Sequence, residues 1–155
     1  AVREIVRHPG AVAILPVLEG ETRRVVMIRN YRPSVGASIW ELPAGTLEPG
    51  EEPAGAAARE LIEETGYRAA RLRPLCRLLT SPGLTDEEMH IYFATGLEHV
   101  GQNLDEGEHI EVEPVTIDAV RRMVTDGSIR DGKSLAGLML ADRLGWLDGS
   151  EGGGA

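Results

Sequence analysis

The sequence predicts an α+β domain in which helices pack against a largely mixed or antiparallel sheet. Strand-like segments come first, one helix follows, and further strands precede two final helices. This order lacks the regular strand–helix alternation that is typical of parallel βαβ sheets. With 155 residues the chain is long enough for one domain with a buried core, and we expect that domain to span residues 1–147.

Strands dominate the first forty-five residues. The apolar run 10–18 is followed by the turn-like EGET, and the run 23–31 then predicts the second strand of a hairpin. Residues 32–40 contain a proline and a glycine and predict a loop, and WELPAG predicts a short strand that ends at Gly45. Later strands are expected at 73–81, 88–97 and 108–117.

Three helices are expected. Pro53 suits the first turn of a helix, where its missing N–H costs little, and Gly66 suits the C-terminal cap. The second helix begins at a Thr or Asp cap near residue 116. The third lies within 128–147 and is expected to pack through Leu135, Leu138, Met139 and Leu144. The glycine-rich residues 148–155 predict a flexible tail.

Composition argues against several classes of protein. The net charge is -9 and the sequence shows no basic stripe, which speaks against non-specific nucleic-acid binding. No run approaches the ~20 apolar residues of a membrane span, so no membrane association is expected. Cys76 is the only cysteine, so it forms no internal disulfide, and its apolar neighbours predict a buried structural role. We therefore expect a cytoplasmic protein.

Residues 41–67, ELPAGTLEPGEEPAGAAARELIEETGY, crowd carboxylates near the end of the first predicted helix. At 100° per residue, three glutamates share one face, while Ala54, Ala58, Leu61 and Thr65 form a separate packing face. Like-charge pairs three and four residues apart cost roughly 0.2–0.5 kcal/mol each, and the end of a helix also disfavours anions. The segment is either a solvated acidic face or a site for a hard divalent cation.

Spacing favours the cation site. Five residues separate Gly45 from Glu51, seven separate Glu51 from Arg59, and RELIEETGY follows without a gap. This pattern resembles the Nudix box, the signature of the Nudix hydrolases, with Tyr67 in place of an aliphatic residue. The matching positions are Gly45, Glu51, Arg59, Glu60, Leu61, Glu63, Glu64 and Gly66.

The resemblance implies the Nudix fold, an α/β/α sandwich around a mixed sheet. It also implies hydrolysis of a nucleoside diphosphate linked to another group, with Mg²⁺, or else Mn²⁺ or Zn²⁺, as cofactor. Arg59 would hold Glu51 and so shape the loop before the helix, while Glu63 is a ligand or a base. The implied metal ligands are Glu60, Glu63, Glu64 and the carbonyl oxygen of Ala44.

Two further stretches are similar to the ADP-ribose pyrophosphatase subgroup. Pro82 stands fifteen residues after Tyr67 in a Ser-Pro-Gly setting, and Arg32 lies in a segment like the subgroup's Gln-Tyr-Arg, with Asn30 in place of Gln. Glu108 is either a mobile catalytic carboxylate or part of a solvated loop. The implied substrate contacts are Arg32, Pro82, Gly83 and Glu87.

The subgroup implies conversion of ADP-ribose to AMP and ribose 5-phosphate. It also implies a homodimer in which N-terminal residues 2–17 reach the partner's site. Two alternatives stay open. One is hydrolysis of another nucleoside diphosphate derivative, such as a sugar nucleotide, a dinucleotide cofactor or an oxidised nucleotide. The other is an inactive Nudix domain that senses a ligand.

Overall fold

The computed structural model describes residues 2–104 and 109–150. Within these residues it contains seven strands and three helices. Their bounds are β1 Ala11–Leu18, β2 Arg24–Arg32, β3 Ala37–Glu41, β4 Ala44–Thr46, α1 Pro53–Thr65, β5 Tyr67–Leu79, β6 Glu88–His99, β7 Ile110–Thr116, α2 Ile117–Thr125 and α3 Gly132–Arg143.

The strands form one mixed sheet with the order β3-β2-β1-β6-β5, in which β4 also pairs with β1 and β7 with β2. β1 lies at the centre and runs parallel to β6, with the register from Ala11 opposite Met89 to Pro16 opposite Ala94. Its other partners, β2 and β4, are antiparallel. A completely apolar strand is expected in this central position, because both of its faces are covered.

Helices cover both faces of the sheet. Val12 and Ile14 of β1 pack on the α1 side with Leu61, whereas Leu15 and Val17 belong to the core that α2 and α3 cover. The period of two along a strand sends alternate side chains to opposite faces. The arrangement is the predicted α/β/α sandwich.

The predicted ends of α1 are confirmed. Pro53 opens the helix, and Gly66 ends it with a φ of 76°, donating its N–H to the carbonyl of Ile62. Thr116 caps α2 by accepting from the N–H of Ala119. Asp131 caps α3 by accepting from the N–H of Ser134 at 3.1 Å.

Several local predictions were wrong, among them two strand boundaries and part of the packing of α3. The predicted loop 32–40 contains the start of β3, because β3 pairs with β2 from Ala37 onward despite the preceding turn. β5 begins at Tyr67 rather than at residue 73, since its early polar residues pair with β6 at the edge of the sheet. In α3, Leu135 and Leu138 pack on the core as expected, but Met139 and Leu144 are exposed.

The N-terminal segment differs from the predicted arm. Residues 11–17 belong to the buried central strand, so only the residues before them can extend away from the domain. Val6 instead forms a bridge with Thr85 in the loop before β6. Cys76, expected to be buried, is only partly so, and burial raises the pKa of its thiol.

Two further observations concern the end of the domain and its helices. Asp148 forms an ion pair with Arg121, and the N–H of Ser150 bonds to the carbonyl of Gly145, so the first residues of the predicted tail contact the domain. None of the described helices is both long enough and apolar enough to cross a membrane.

Candidate active site

The loop from β4 to α1 brings backbone and carboxylates together. β4 pairs with the central strand β1, which fixes Ala44 and Gly45 beside the helix. A Cβ at Gly45 would collide with the carboxylate group of Glu60. Glycine at this position therefore allows the Glu60 carboxylate to rest against the backbone.

Arg59 is the hub of this loop and helix. Its Nε and Nη2 bond to the two carboxylate oxygens of Glu51 at 3.0 and 2.9 Å. The expected Arg59–Glu51 contact is therefore present and bidentate. Nη1 also donates to Glu60 at 2.7 Å and to Glu63 at 2.9 Å, which the sequence did not reveal. The bond to Glu51 is the main reason that the pKa of Arg59 is raised, and the same bond lowers the pKa of Glu51.

Glu64 lies on the buried side of α1. Only 5% of the residue is exposed, and its Oε2 accepts from the N–H of Ala44 at 2.8 Å. The predicted packing face was only partly right. Leu61 and Thr65 are buried as expected, but Ala54 and Ala58 are exposed. Ala56, Ala57 and Glu64 are buried instead. A carboxylate tolerates this burial because the β4 backbone supplies a donor.

We call the space around these side chains the carboxylate cavity. Its volume is about 380 Å³, and its lining consists of Asn30, Arg32, Ala44, Gly45, Thr46, Glu48, Arg59, Glu60, Glu63 and Glu64. Carboxylate and carbonyl oxygens are the donors that Mg²⁺ and Mn²⁺ prefer, so the chemistry of the lining fits such an ion. Within residues 2–104 and 109–150, no three His, Cys, Asp or Glu side chains converge as a metal-binding group, and Arg59 instead binds Glu60 and Glu63.

A second and larger space, which we call the lysine cavity, adjoins the first. It has a volume of about 670 Å³ and shares Arg32, Ala44, Gly45 and Thr46 with the carboxylate cavity. Its other lining residues are Ala11, Leu78, Leu79, Thr80, Glu87, Met89, Asp131, Gly132, Lys133 and Ala136. Because they share these four lining residues, the two cavities adjoin one another.

Glu41 is a site residue that the sequence reasoning missed. It is 1% exposed, accepts from Arg32 Nε and Nη2 at 2.7 and 2.6 Å, and accepts from Lys133 Nζ at 2.7 Å. Burial by itself would raise the pKa of Glu41, but the bonds from Arg32 and Lys133 outweigh it and lower the pKa below its ordinary value. A glutamate between two apolar residues, Trp40 and Leu42, was the available signal in the sequence.

The residues expected to bind substrate separate into two groups. Arg32 lines both cavities, and Glu87 lines the lysine cavity while accepting from Thr80 Oγ1 at 2.6 Å. Pro82 and Gly83 belong to an exposed turn and line neither cavity as the described residues define them. Glu108 lies outside the described residues.

Comparison with known proteins gives a consistent result. A model of the NUDIX domain matches residues 7–138. The "ADP-ribose pyrophosphatase" of Bacillus subtilis (strain 168) is 42% identical over 134 residues, which are 85% of this chain and 71% of the relative. The "Methanol dehydrogenase activator" of Bacillus methanolicus is also 42% identical, over 135 residues, covering 86% of this chain and 72% of the relative.

A solved structure described as "Crystal structure of ADP compounds hydrolase" has the same fold. It superimposes with a TM-score of 0.80 at 26% identity, covering 92% of this chain and 74% of that one. The residues matched by the family model include α1, which carries the glutamates, and the strands β1 and β4 beside it. The chain therefore belongs to the Nudix hydrolase family.

Proposed function

We propose that this protein hydrolyses the pyrophosphate bond of ADP-ribose to AMP and ribose 5-phosphate. The observation that carries the proposal is the placement of Glu60 and Glu64 against the Ala44–Gly45 backbone, with Arg59 holding the neighbouring carboxylates. The similarity to a protein named "ADP-ribose pyrophosphatase" supports this choice of substrate. The cofactor of the proposed reaction is Mg²⁺, with Mn²⁺ and Zn²⁺ as the other candidates.

Four groups of this chain would hold the cation: Glu60, Glu63, Glu64 and the carbonyl oxygen of Ala44. When bound there, a divalent cation supplies positive charge that neutralises the pyrophosphate and acidifies the attacking water. Arg59 already offsets the repulsion among three of the carboxylates in this region. The Ala44 N–H fixes one oxygen of Glu64, which orients the other oxygen of that carboxylate.

The proposed chemistry is the attack of water on phosphorus. The water oxygen forms a bond to one phosphorus, the bond from that phosphorus to the bridging oxygen breaks, and the second phosphate leaves with that oxygen. A carboxylate of the cluster takes the proton of the water. The side chain of Arg32 bonds to Glu41 and is still 43% exposed. The exposed part of its guanidinium would face the anionic substrate. Glu108 is proposed as a further catalytic carboxylate, and Pro82, Gly83 and Glu87 as substrate contacts.

A broader activity on ADP-containing pyrophosphates is the second candidate. It is favoured by the structural similarity to a protein described as an ADP compounds hydrolase. The two candidate activities use the same carboxylates. They differ only in how strictly the enzyme discriminates among the groups attached to the second phosphate.

A substrate panel tests both candidates. We expect ADP-ribose to be cleaved with a higher kcat/KM than GDP-mannose, FAD or 8-oxo-dGTP in the presence of Mg²⁺, with no turnover after chelation by EDTA. Products are identified as AMP and ribose 5-phosphate by chromatography. Comparable rates for another member of the panel would refute selectivity for ADP-ribose, and ligand binding without turnover would instead indicate a sensing domain.

Gly45→Ala should separate activity from stability. The new Cβ would meet the carboxylate of Glu60, which is the far end of a flexible side chain and can turn away at little cost in stability. We expect kcat to fall by about 10- to 100-fold, a range typical of disturbed groups around a metal site, while Tm changes by less than about 2 °C. The matched control is Gly55→Ala, because a Cβ at that position meets no atom within 4 Å. Equal kcat for Gly45→Ala and Gly55→Ala would show that the close approach of Glu60 is not needed.

We further propose a cytoplasmic homodimer. The exposed apolar side chains of Val2, Ile5 and Val6 lie ahead of the buried strand β1 and support a contact between two copies. The single cysteine supports a reducing compartment. Analytical ultracentrifugation tests the dimer, and loss of the dimer on truncating residues 1–6 is the expected result.

A further inference from the structure

Lys133 is the only lysine in a chain that otherwise carries arginines, and it lines the lysine cavity. Its side chain is 11% exposed. The ammonium donates to Glu41 Oε2 at 2.7 Å and to Asp131 Oδ2 at 2.9 Å. Because an ammonium has three N–H donors, these two bonds, as far as residues 2–104 and 109–150 are concerned, leave one donor for a group inside the cavity.

Asp131 supplies an acceptor beside that donor. Its three side-chain contacts within the described residues, with Lys133 Nζ, Ser134 N and Ser134 Oγ, all fall on Oδ2. Oδ1 of the same carboxylate is therefore available to accept from a ligand. Asp131 and Lys133 both line the cavity, so a donor and an acceptor lie close together in its wall.

The local charge indicates which ligand group fits. Arg32 and Lys133 carry two positive charges, and Glu41 and Asp131 carry two negative charges, so the cluster is close to neutral. A phosphate would meet the Asp131 carboxylate and be repelled. A hydroxyl group can both accept from the ammonium and donate to the carboxylate, so it suits this pair.

We propose that Lys133, together with Asp131, binds a sugar hydroxyl of the substrate and thereby determines specificity for nucleoside diphosphate sugars. The inference rests on the proposed function, because it assigns the pyrophosphate to the carboxylate cavity and a sugar to the adjoining lysine cavity. The volume of about 670 Å³ is ample for a pentose. The shared walls at Arg32 and Ala44–Thr46 connect the two positions.

Kinetics of Lys133→Met test this role with three substrates: ADP-ribose, an ADP methyl ester without the distal sugar, and the 2′,3′-dideoxyadenosine analogue of ADP-ribose, called the deoxy analogue below. Glu41 keeps its bidentate bonds to Arg32 in this variant, so the fold is retained. We expect KM for ADP-ribose to rise about 10-fold, the effect of one lost hydrogen bond to a charged group, with kcat within twofold.

The substrate lacking the contacted hydroxyl should show no rise in KM. If Lys133→Met leaves KM for the methyl ester unchanged, the contact belongs to the distal sugar. If it leaves KM for the deoxy analogue unchanged, the contact belongs to the nucleoside sugar. An equal rise for all three substrates, or none for any, overturns the proposal. Arg122→Met, which removes an exposed cation on α2, is the matched control and should behave as wild type.

Amine labelling gives a readout that does not depend on turnover. Lys133 is the only side-chain amine, so modification by acetic anhydride is located unambiguously by peptide mass spectrometry. The labelling is done without added cation, at ADP-ribose concentrations that calorimetry shows to saturate the protein. ADP-ribose should then slow acetylation of Lys133 at least about fivefold, because its hydroxyl would occupy a donor of the ammonium. The methyl ester and deoxy analogue provide the same comparison as above.

The two readouts separate the possible failures. Normal hydrolysis of ADP-ribose without protection of Lys133, or no binding of ADP-ribose at all, overturns the role of Lys133. Protection of Lys133 without hydrolysis of ADP-ribose leaves the sugar site standing and refutes the proposed function.

Discussion

Glu60→Gln and Glu64→Gln are each expected to lower kcat for ADP-ribose by on the order of 10³-fold, within the range that loss of a catalytic proton acceptor or its metal partner produces. Both changes keep the size of the side chain and remove one negative charge. The expectation rests on the place of these two carboxylates, one against the Gly45 backbone and one bonded to the Ala44 N–H. Binding of Mn²⁺, measured by calorimetry, should weaken in both variants.

Stability should change little in either variant. A glutamine at position 64 still presents an oxygen that can accept from the Ala44 N–H. Arg59 keeps its bidentate bonds to Glu51 and its bond to Glu63 when residue 60 becomes neutral. We therefore expect Tm within about 3 °C of wild type, equivalent to roughly 1 kcal/mol or less.

Glu98 provides the control for both variants. Glu98→Gln removes an exposed carboxylate on β6 and should leave kcat, Mn²⁺ affinity and Tm unchanged. If Glu60→Gln or Glu64→Gln kept near-normal kcat at limiting Mg²⁺, the assignment of these residues as metal ligands would be wrong. Loss of activity together with a large fall in Tm would indicate a structural role instead.

Local sequence signals were enough to predict most of the fold. The apolar run of β1, the Pro53 start and Gly66 end of α1, and the strand–helix order are set by short-range preferences. The mistakes arose where tertiary pairing overrides local chemistry. β3 forms next to a Pro- and Gly-containing turn because β2 supplies its hydrogen-bond partners, and the same holds for the polar start of β5.

The candidate site was predicted less completely than the fold. A fixed spacing along the loop before α1 and along α1 itself identifies Glu51, Arg59 and the glutamates around it. Residues that come from distant parts of the chain carry no such spacing. Glu41 and Lys133 are 92 residues apart and meet because the start of α3 lies against the end of β3, where the Leu42 N–H donates to Ser134 Oγ. The burial of Glu64 was also missed, because a helical projection does not show that the backbone of β4 provides a donor.

Glu41→Gln is expected to lower the stability of the protein by about 2–3 kcal/mol at pH 7. Removing one member of a buried ion pair costs about 3–5 kcal/mol. We reduce that figure because Arg32 is 43% exposed and Lys133 keeps its bond to Asp131. For a domain of this size the loss corresponds to a fall in Tm of about 5–10 °C. Glu98→Gln again serves as the control, since its carboxylate is exposed.

The effect of Glu41→Gln should depend on pH in a defined direction. Arg32 and Lys133 outweigh burial and hold the pKa of Glu41 in the folded protein below its ordinary value of 4.5. A carboxylate of this kind stabilises the fold above its unfolded pKa, and that contribution is lost as the pH falls through the folded pKa. The difference in unfolding free energy between wild type and Glu41→Gln should therefore be greatest above pH 5 and shrink towards pH 3. Urea titrations at several pH values measure it, and a difference that stays constant down to pH 3 would show that ionised Glu41 does not hold β3 to α3.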